Sequence, residues 1–338
     1  GQLGTPTGDV LADILTGVSN PSGKLAMTWA PIEQYPSTKG FGDMDDTVYN
    51  EGIYVGYRYF KTADVTPTFP FGYGLSYTKF EIGTASVAAD EKKVSVTVPV
   101  TNVGTCAGKE VIQLYVSKPS VKLDQPYQEL AAFAKTSELK PSENEEVTLT
   151  FSLRDLAAYD EELARYVLEK GVYWLRIGNS SEETVVCAGL KLDADVIVKE
   201  CKTICPGADI PKFIPADGME AQERDAQVKN PEVSVYELHA ELFQTEKVTY
   251  SEEPKEILNK ETGSFEEVKS GKISVEQFVA SLTNEQLAYL SIGLYEDHTG
   301  LGSMLGASAP NVAGAAGETN KSLEELGVHS LALGGGHA

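Results

Sequence analysis

The chain has 338 residues, 41% of them hydrophobic and 23% charged, and a formal net charge of -22. That length allows two or three domains, and so negative a surface excludes nucleic acid and anionic membrane as partners, because both would repel it. Neutral sugars remain compatible, since their recognition rests on hydrogen bonds and stacking, and no apolar run approaches the ~18 residues of a membrane-spanning helix.

Residues 1–30 read as helix, turn, strand. Thr7 suits a cap, Val10, Leu11, Ile14 and Leu15 recur at helical spacing, and Gly17 suits the C-terminal cap. Asn20-Pro21-Ser22-Gly23 signals a turn before a candidate strand over Lys24–Trp29. Such a unit needs neighbouring strands, and no basic segment followed by an apolar core precedes it. The chain is therefore expected to open inside a domain. Residues 31–78 are rich in Tyr, Gly and Pro. Within them 49–60 (YNEGIYVGYRYF) is β-prone, and 70–77 (PFGYGLSY) has the composition of a folded-over loop. Their aromatics are read as packing between domains in preference to sugar stacking.

Residues 79–193 read as all-β. Val94 to Thr101 alternates with period two, and further strands are predicted at Val111–Val116, Leu130–Ala134, Val147–Leu153, Val172–Ile177 and Thr184–Leu192. About seven short strands over roughly 100 residues is the pattern of an immunoglobulin-like or fibronectin type III-like sandwich. From 194 the character changes. Between Asp195 and Gly300 there are 21 acidic and 10 basic residues, so 194–273 reads as an acidic linker with some local helix, wrapped on the surface or partly mobile. Helices are predicted to start at Ser274 and near Thr283. A small-residue loop follows over Gly300–Gly317, then a short helix at Leu323–Gly327 and a strand at Val328–Leu333.

Three motifs in the first part of the chain resemble glycoside hydrolase family 3. Residues 8–29, GDVLADILTGVSNPSGKLAMTW, resemble the end of that family's α/β-sandwich domain. Residues 67–80, PTFPFGYGLSYTKF, resemble its join to a fibronectin type III-like domain, and 100–116, VTNVGTCAGKEVIQLYV, resemble a pattern inside that domain. Residues 283–333, with LTNEQLAYLSIG and NVAGAAGETNKSLEELGVHSLAL, resemble the start of the family's (β/α)8 barrel domain. The resemblance implies a multidomain chain, mainly β: 1–78 from an α/β sandwich with an interdomain loop, 79–193 the fibronectin-like sandwich, 194–273 the linker and 274–338 the start of the barrel. This is the reversed domain order of certain β-glucosidases from anaerobic gut and rumen bacteria.

The implied activity is retaining, exo-acting hydrolysis of terminal β-D-glucosyl residues. Its partners would be a β-glucoside or oligosaccharide and the remaining segments of the same enzyme. Oligomeric state stays open, and a bacterial cytoplasm is the expected location. Retention needs two carboxyl groups about 5–5.5 Å apart. The family's nucleophilic Asp and acid/base Glu fall on segments outside 1–338, and its sugar-holding Asp is replaced where the chain reads LALGGGHA near Gly334 and Gly335. No catalytic or substrate-binding residue is therefore assigned, and this chain alone is expected to be inactive. The acidic groups Asp43, Asp45, Asp46, Glu51 and Asp160-Glu161-Glu162 are read as ordinary surface.

Cys106, Cys187, Cys201 and Cys205 are read as free thiols. With His239, His298, His329 and His337 far away in sequence, no metal and no cofactor is expected. Two alternatives remain: a β-xylosidase or α-arabinofuranosidase of the same family, and a non-catalytic fibronectin-like carbohydrate-binding or adhesion module.

Overall fold

The computed structural model describes residues 6–38, 42, 48–203, 215, 233–248, 263–291, 317–318, 323, 326–328 and 332–333. The chain divides into two compact units, residues 9–249 and residues 250–338 with 1–8. Asp43, Asp45, Asp46, Cys205, His298, His329, His337 and Gly334–Gly336 lie outside the described residues.

The first unit is mainly β. Three sheets share one core. In the first, β1 (Phe80–Ile82) and β2 (Ser86–Ala89) pair along one edge of β3 (Val94–Asn102), and β6 (Asn144–Phe151) pairs along its other edge. The second runs β12 (Val235–Leu238), β10 (Thr184–Leu192), β9 (Gly171–Gly178), β4 (Val111–Ser117), β5 (Glu129–Lys135). The third runs β13 (Glu246–Lys247), β11 (Val196–Glu200), β8 (Arg165–Leu168), β7 (Ala158–Asp160).

The alternation in β3 does what its sequence requires: Val94, Val96, Val98 and Val100 are fully buried while the residues between them are half exposed. They meet Ile112, Leu114, Leu149, Leu175 and Leu190 in a continuous core. Pro99 sits inside this central strand without breaking the sheet. Its carbonyl accepts from Gly83 N at 2.8 Å, so its donor-less nitrogen faces the gap where β1 gives way to β2.

Four sequence expectations are corrected. Lys24–Trp29 is not a ladder strand. It pairs with residues 69–73 of the same chain through Leu25 N to Tyr73 O (2.8 Å) and reciprocal bonds between Trp29 and Phe69. The β-prone stretch 49–60 contains a helix, α2 (Tyr57–Thr62), while the helix expected from the spacing of Val10 to Leu15 is present as α1 (Thr7–Leu15). Tertiary contacts override propensity in α2: Phe60 is buried, Thr62 Oγ1 accepts from Tyr127 N at 2.8 Å, and Tyr57 Oη accepts from Leu130 N at 2.9 Å. Gly56, at φ 59, makes the turn that lets the helix begin. The sandwich also holds strands missed in the sequence, namely β1, β2, β7, β8 and β11. Finally, the acidic stretch 194–273 holds strands as well as the expected local helix: 196–200 lies inside the third sheet and 235–238 and 246–247 on sheet edges, because Val196, Val198 and Leu238 complete the core, while Phe265–Lys269 is helical.

In the second unit α3 (Phe265–Lys269) and α4 (Val275–Ser281) carry capping boxes, at Ser264 with Glu267 and at Ser274 with Gln277. Thr283 and Gln286 exchange the same pair of bonds before α5 (Asn284–Ser291). Ala332–Leu333 (β15) pairs with Gly317–Glu318 (β14), so the predicted strand 328–333 is present at its end.

Candidate functional site

The residues of the three N-terminal motifs, far apart in sequence, converge on one junction. Asn20 Nδ2 donates to Ala107 O at 2.8 Å, while its Oδ1 accepts from Tyr77 N (2.9 Å) and Ser76 Oγ (3.1 Å). Lys24 pairs with Glu110 at 2.8 Å, both side chains largely buried. Tyr77 Oη donates to Ile14 O at 2.7 Å at the end of α1, and Cys106 Sγ donates to Tyr77 O. Fully buried Asn102 uses all its capacity. Its Oδ1 accepts from Thr78 Oγ1 (2.7 Å) and Gly104 N (3.0 Å), and its Nδ2 donates to Leu139 O (2.7 Å) and Cys106 O (2.9 Å).

The motif glycines are explained by the same closeness. A Cβ on Gly108 would lie 2.6 Å from Asn20 Nδ2, and one on Gly104 would lie 2.6 Å from Lys79 N. Gly72 combines φ +81 with a position directly over the Gln113 side chain.

A second layer covers the face of β4 that looks away from the core. Ile112, Leu114 and Val116 point into the core; Gln113, Tyr115 and Ser117 point out, yet all six are buried. Tyr57 and Phe71 lie over them, with Tyr57 at 4.8 Å from Phe71 and 5.8 Å from Tyr115 between ring centres. Gln113 donates to Asn179 O at 2.7 Å and accepts from Tyr115 Oη at 2.5 Å. Burial pushes the Tyr115 phenol far above its usual range, so it stays a donor. Arg176, also buried, donates to Ser117 Oγ (2.7 Å) and Tyr127 Oη (2.9 Å), with its guanidinium 4.6 Å from the centre of the Tyr127 ring. Ion pairs join α2 to the sandwich, Arg58 to Glu129 and Lys61 to Glu182 at 3.0 Å, and Glu129 also pairs with Lys118 of the sandwich.

The aromatics expected to pack do so at Tyr57, Phe60 and Phe71, whereas Trp29, Tyr49 and Tyr77 are exposed. A cleft of about 780 Å³ opens beside the junction, walled by Thr16, Asn20, Tyr77, Lys109 and Lys135, with Glu138 its one carboxylate. That is a single carboxyl group where glycosidic hydrolysis with retention uses two.

Several other carboxylates are engaged in structure. Asp160 accepts from Leu163 N and pairs with Arg165 at 3.3 Å. Buried Glu169 accepts from the amides of Val121, Lys122 and Leu123. Backbone amides hold Asp90, Asp193 and Asp195 below the usual carboxylate range, and Lys272 does so for Glu267. A glycosidase acid needs the opposite shift. Cys106, Cys187 and Cys201 are free thiols, and burial pushes Cys187 up to about 12. No group of three or more His, Cys, Asp and Glu able to hold a metal occurs among the described residues.

The sequence marks the motifs but not the roles of Asn20, Asn102, Gln113 and Arg176. The signal for the first three was their place inside the motifs. Arg176, inside an apolar strand, was marked only by its charge.

Comparison with known proteins bears on the same motifs. Residues 1–77 match the glycosyl hydrolase family 3 C-terminal domain, and residues 110–181 match the fibronectin type III-like domain. β-Glucosidase A of Butyrivibrio fibrisolvens is 36% identical over 327 residues, covering 86% of this chain and 39% of the relative. A β-glucosidase of Ruminococcus albus is 33% identical over 336 residues, covering 97% of this chain and 33% of the relative. Among solved structures, a β-glucosidase from Paenibacillus barengoltzii aligns with a TM-score of 0.63 at 32% identity, over 96% of this chain and 36% of that one. β-Glucosidase 3B from Thermotoga neapolitana, solved in complex with α-D-glucose, aligns with a TM-score of 0.53 at 42% identity, over 56% of this chain and 27% of that one. The chain thus spans less than half the length of the relatives it matches.

Proposed function

We propose, starting from a chain built of glycoside hydrolase family 3 domains, that it is the joint-bearing part of a β-glucosidase. The complete enzyme would be retaining and exo-acting, removing terminal β-D-glucosyl residues from oligosaccharides or glycosides. The observation that carries this reading is the alignment with named β-glucosidases over 86% and 97% of the chain, running through the sandwich and into the residues beyond it in one order. In this reading residues 1–78 close an α/β-sandwich domain, 79–193 are the fibronectin-like domain, and 274–338 open a barrel domain.

What this chain contributes is position. The hydrogen bonds of Asn20 and Asn102, the Lys24–Glu110 pair and the layer over β4 fix Asn20, Lys24, Tyr57 and Thr78 on the sandwich. A carboxyl pair held to within half an ångström needs such rigid support. The junction carboxylates already have partners: Glu110 is held by Lys24, and Glu129 by Arg58 and Lys118.

Hydrolysis of an aryl β-glucoside tests the proposal, with residues 1–338 alone and with a chain of the relatives' length. The expected outcome is no turnover by 1–338 and turnover by the longer chain. Turnover by 1–338 alone would overturn the assignment of this chain to a supporting role. Faster cleavage of an aryl β-xyloside than of the glucoside by the longer chain would move the activity to the β-xylosidases.

A further inference from the structure

β11 ends at Glu200, and the next strand of these sheets, β12, begins at Val235. Residues 233–248 then lie along the open edges of two sheets. β12 runs parallel to β10, with Val235 to Leu238 opposite Gly189 to Leu192, and β13 runs parallel to β11, with Glu246 and Lys247 opposite Lys199 and Glu200. Leu238 is 2% exposed in the core, and Tyr236, Ala240 and Phe243 pack against it.

Charges face opposite charges along the strap 233–248: Glu237 to Lys191 (2.9 Å), His239 to Asp193 (3.1 Å), Glu246 to Lys199 (3.1 Å) and Lys247 to Glu200 (3.3 Å). Asp193 also accepts from Ala240 N at 2.9 Å, Thr245 Oγ1 donates to Ile197 O at 2.8 Å, and Arg154 donates to the carbonyls of Gln244 and Val198. Backbone bonds for affinity, alternate side chains for specificity and paired charges for register are the elements by which a sheet edge recognises a peptide strand.

The geometry points to residues 233–248 being a docked strand ligand of the sandwich: a peptide recognised by the β10 and β11 edges, carried in the same chain. The edge contacts then hold residues 233–248 in place without need of a covalent tether. Parallel pairing supports this, because a parallel partner arrives by a long crossover and not through a tight turn that would hold it in place. The occupant is the chain's own segment, tethered at high effective concentration.

Cutting the tether tests the inference. A site-specific protease sequence is inserted between Ala226 and Gln227 of the full chain, which is then cleaved under native conditions and chromatographed by size at low micromolar concentration. The two pieces are expected to co-elute, and Leu238→Asp, which puts a charge into the core socket, is expected to weaken their association at least tenfold. Separation of the unsubstituted pieces would overturn the inference, as would undiminished co-elution with Leu238→Asp. A concentration-dependent dimer of the uncut chain would transfer the strap to a second copy and overturn the assignment within one chain. Should Leu238→Asp fail to fold, a synthetic peptide of residues 233–248 serves. In excess it is expected to release the C-terminal piece from the cleaved wild-type chain, and the same peptide with Leu238→Asp to do so at least tenfold less well. Failure of the unsubstituted peptide to release that piece would overturn the inference.

Discussion

Asn102 has both lone-pair positions and both amide hydrogens in use, and its partners come from three stretches of chain: Thr78, Gly104 with Cys106, and Leu139. An intramolecular hydrogen bond contributes a net ~0.5–1.5 kcal/mol, and a buried partner left unpaired costs more. Asn102→Ala is therefore expected to lower unfolding stability by about 3 kcal/mol, measured as a lower urea midpoint with an unchanged denaturant slope. Asn102→Asp keeps the acceptor but turns a carboxylate toward the carbonyls of Cys106 and Leu139, so its loss is expected to be at least as large. Glu169 poses the converse case, an acceptor serving three amides. Glu169→Gln retains one carbonyl oxygen and Glu169→Leu retains none. The first is expected to cost about 1 kcal/mol and the second about 2–3 kcal/mol, by the same urea measurement.

Among the elements, the junction between the segment around Lys24 and β4 rests on an ion pair whose side chains are only 15% and 11% exposed. Removing one member strands the other in a poorly solvated place. Lys24→Met and Glu110→Gln are each expected to cost about 2 kcal/mol. The double variant should cost less than the sum of the two, a coupling of about 1 kcal/mol in a double-mutant cycle of urea midpoints. A strictly additive result would mean that the pair is screened by solvent.

Legibility from sequence also divided by element. The β3 valines alternate and read correctly as a half-buried strand, and Thr184–Leu192 was bounded as observed. β4 read as a strand, but period two could not show that its second face is buried too, because Gln113 and Ser117 look like solvent-facing residues until Tyr57, Phe71 and Arg176 cover them. α2 was illegible because its residues favour strands and only long-range contacts make it a helix. The strands of the acidic stretch are hidden by their charge, which local reading assigns to solvent. Their apolar residues Val196, Val198 and Leu238 are few and reach the core from separate places. The junction itself was half legible: the motifs marked its residues, while the contacts among them are a property of the fold.

At the scale of the whole molecule, the strap couples the sandwich to pH through one exposed pair. The Asp193 carboxylate beside His239 raises that imidazole above its ordinary 6.5, with Glu241 and Glu91 adding to the same field, while the Ala240 amide and the His239 ring hold the Asp193 carboxyl below its ordinary 3.8. A histidine whose pKa is raised on folding contributes its stabilisation fully below the unfolded value and loses it as pH climbs through the folded one. An aspartate whose pKa is depressed contributes above the unfolded value and loses its share as pH falls through the folded one. The two contributions overlap between about pH 4 and pH 6.5, the ordinary values of the two groups. The amides of 235–238 are therefore expected to be best protected from hydrogen exchange, relative to those of β3, inside that window and less so at pH 8, once the intrinsic pH dependence of exchange is removed. His239→Gln keeps a hydrogen-bonding side chain without the charge, so the decline above pH 6.5 should vanish while the decline at acid pH remains. An unchanged upper limb in that variant would assign the pH dependence to a group other than His239.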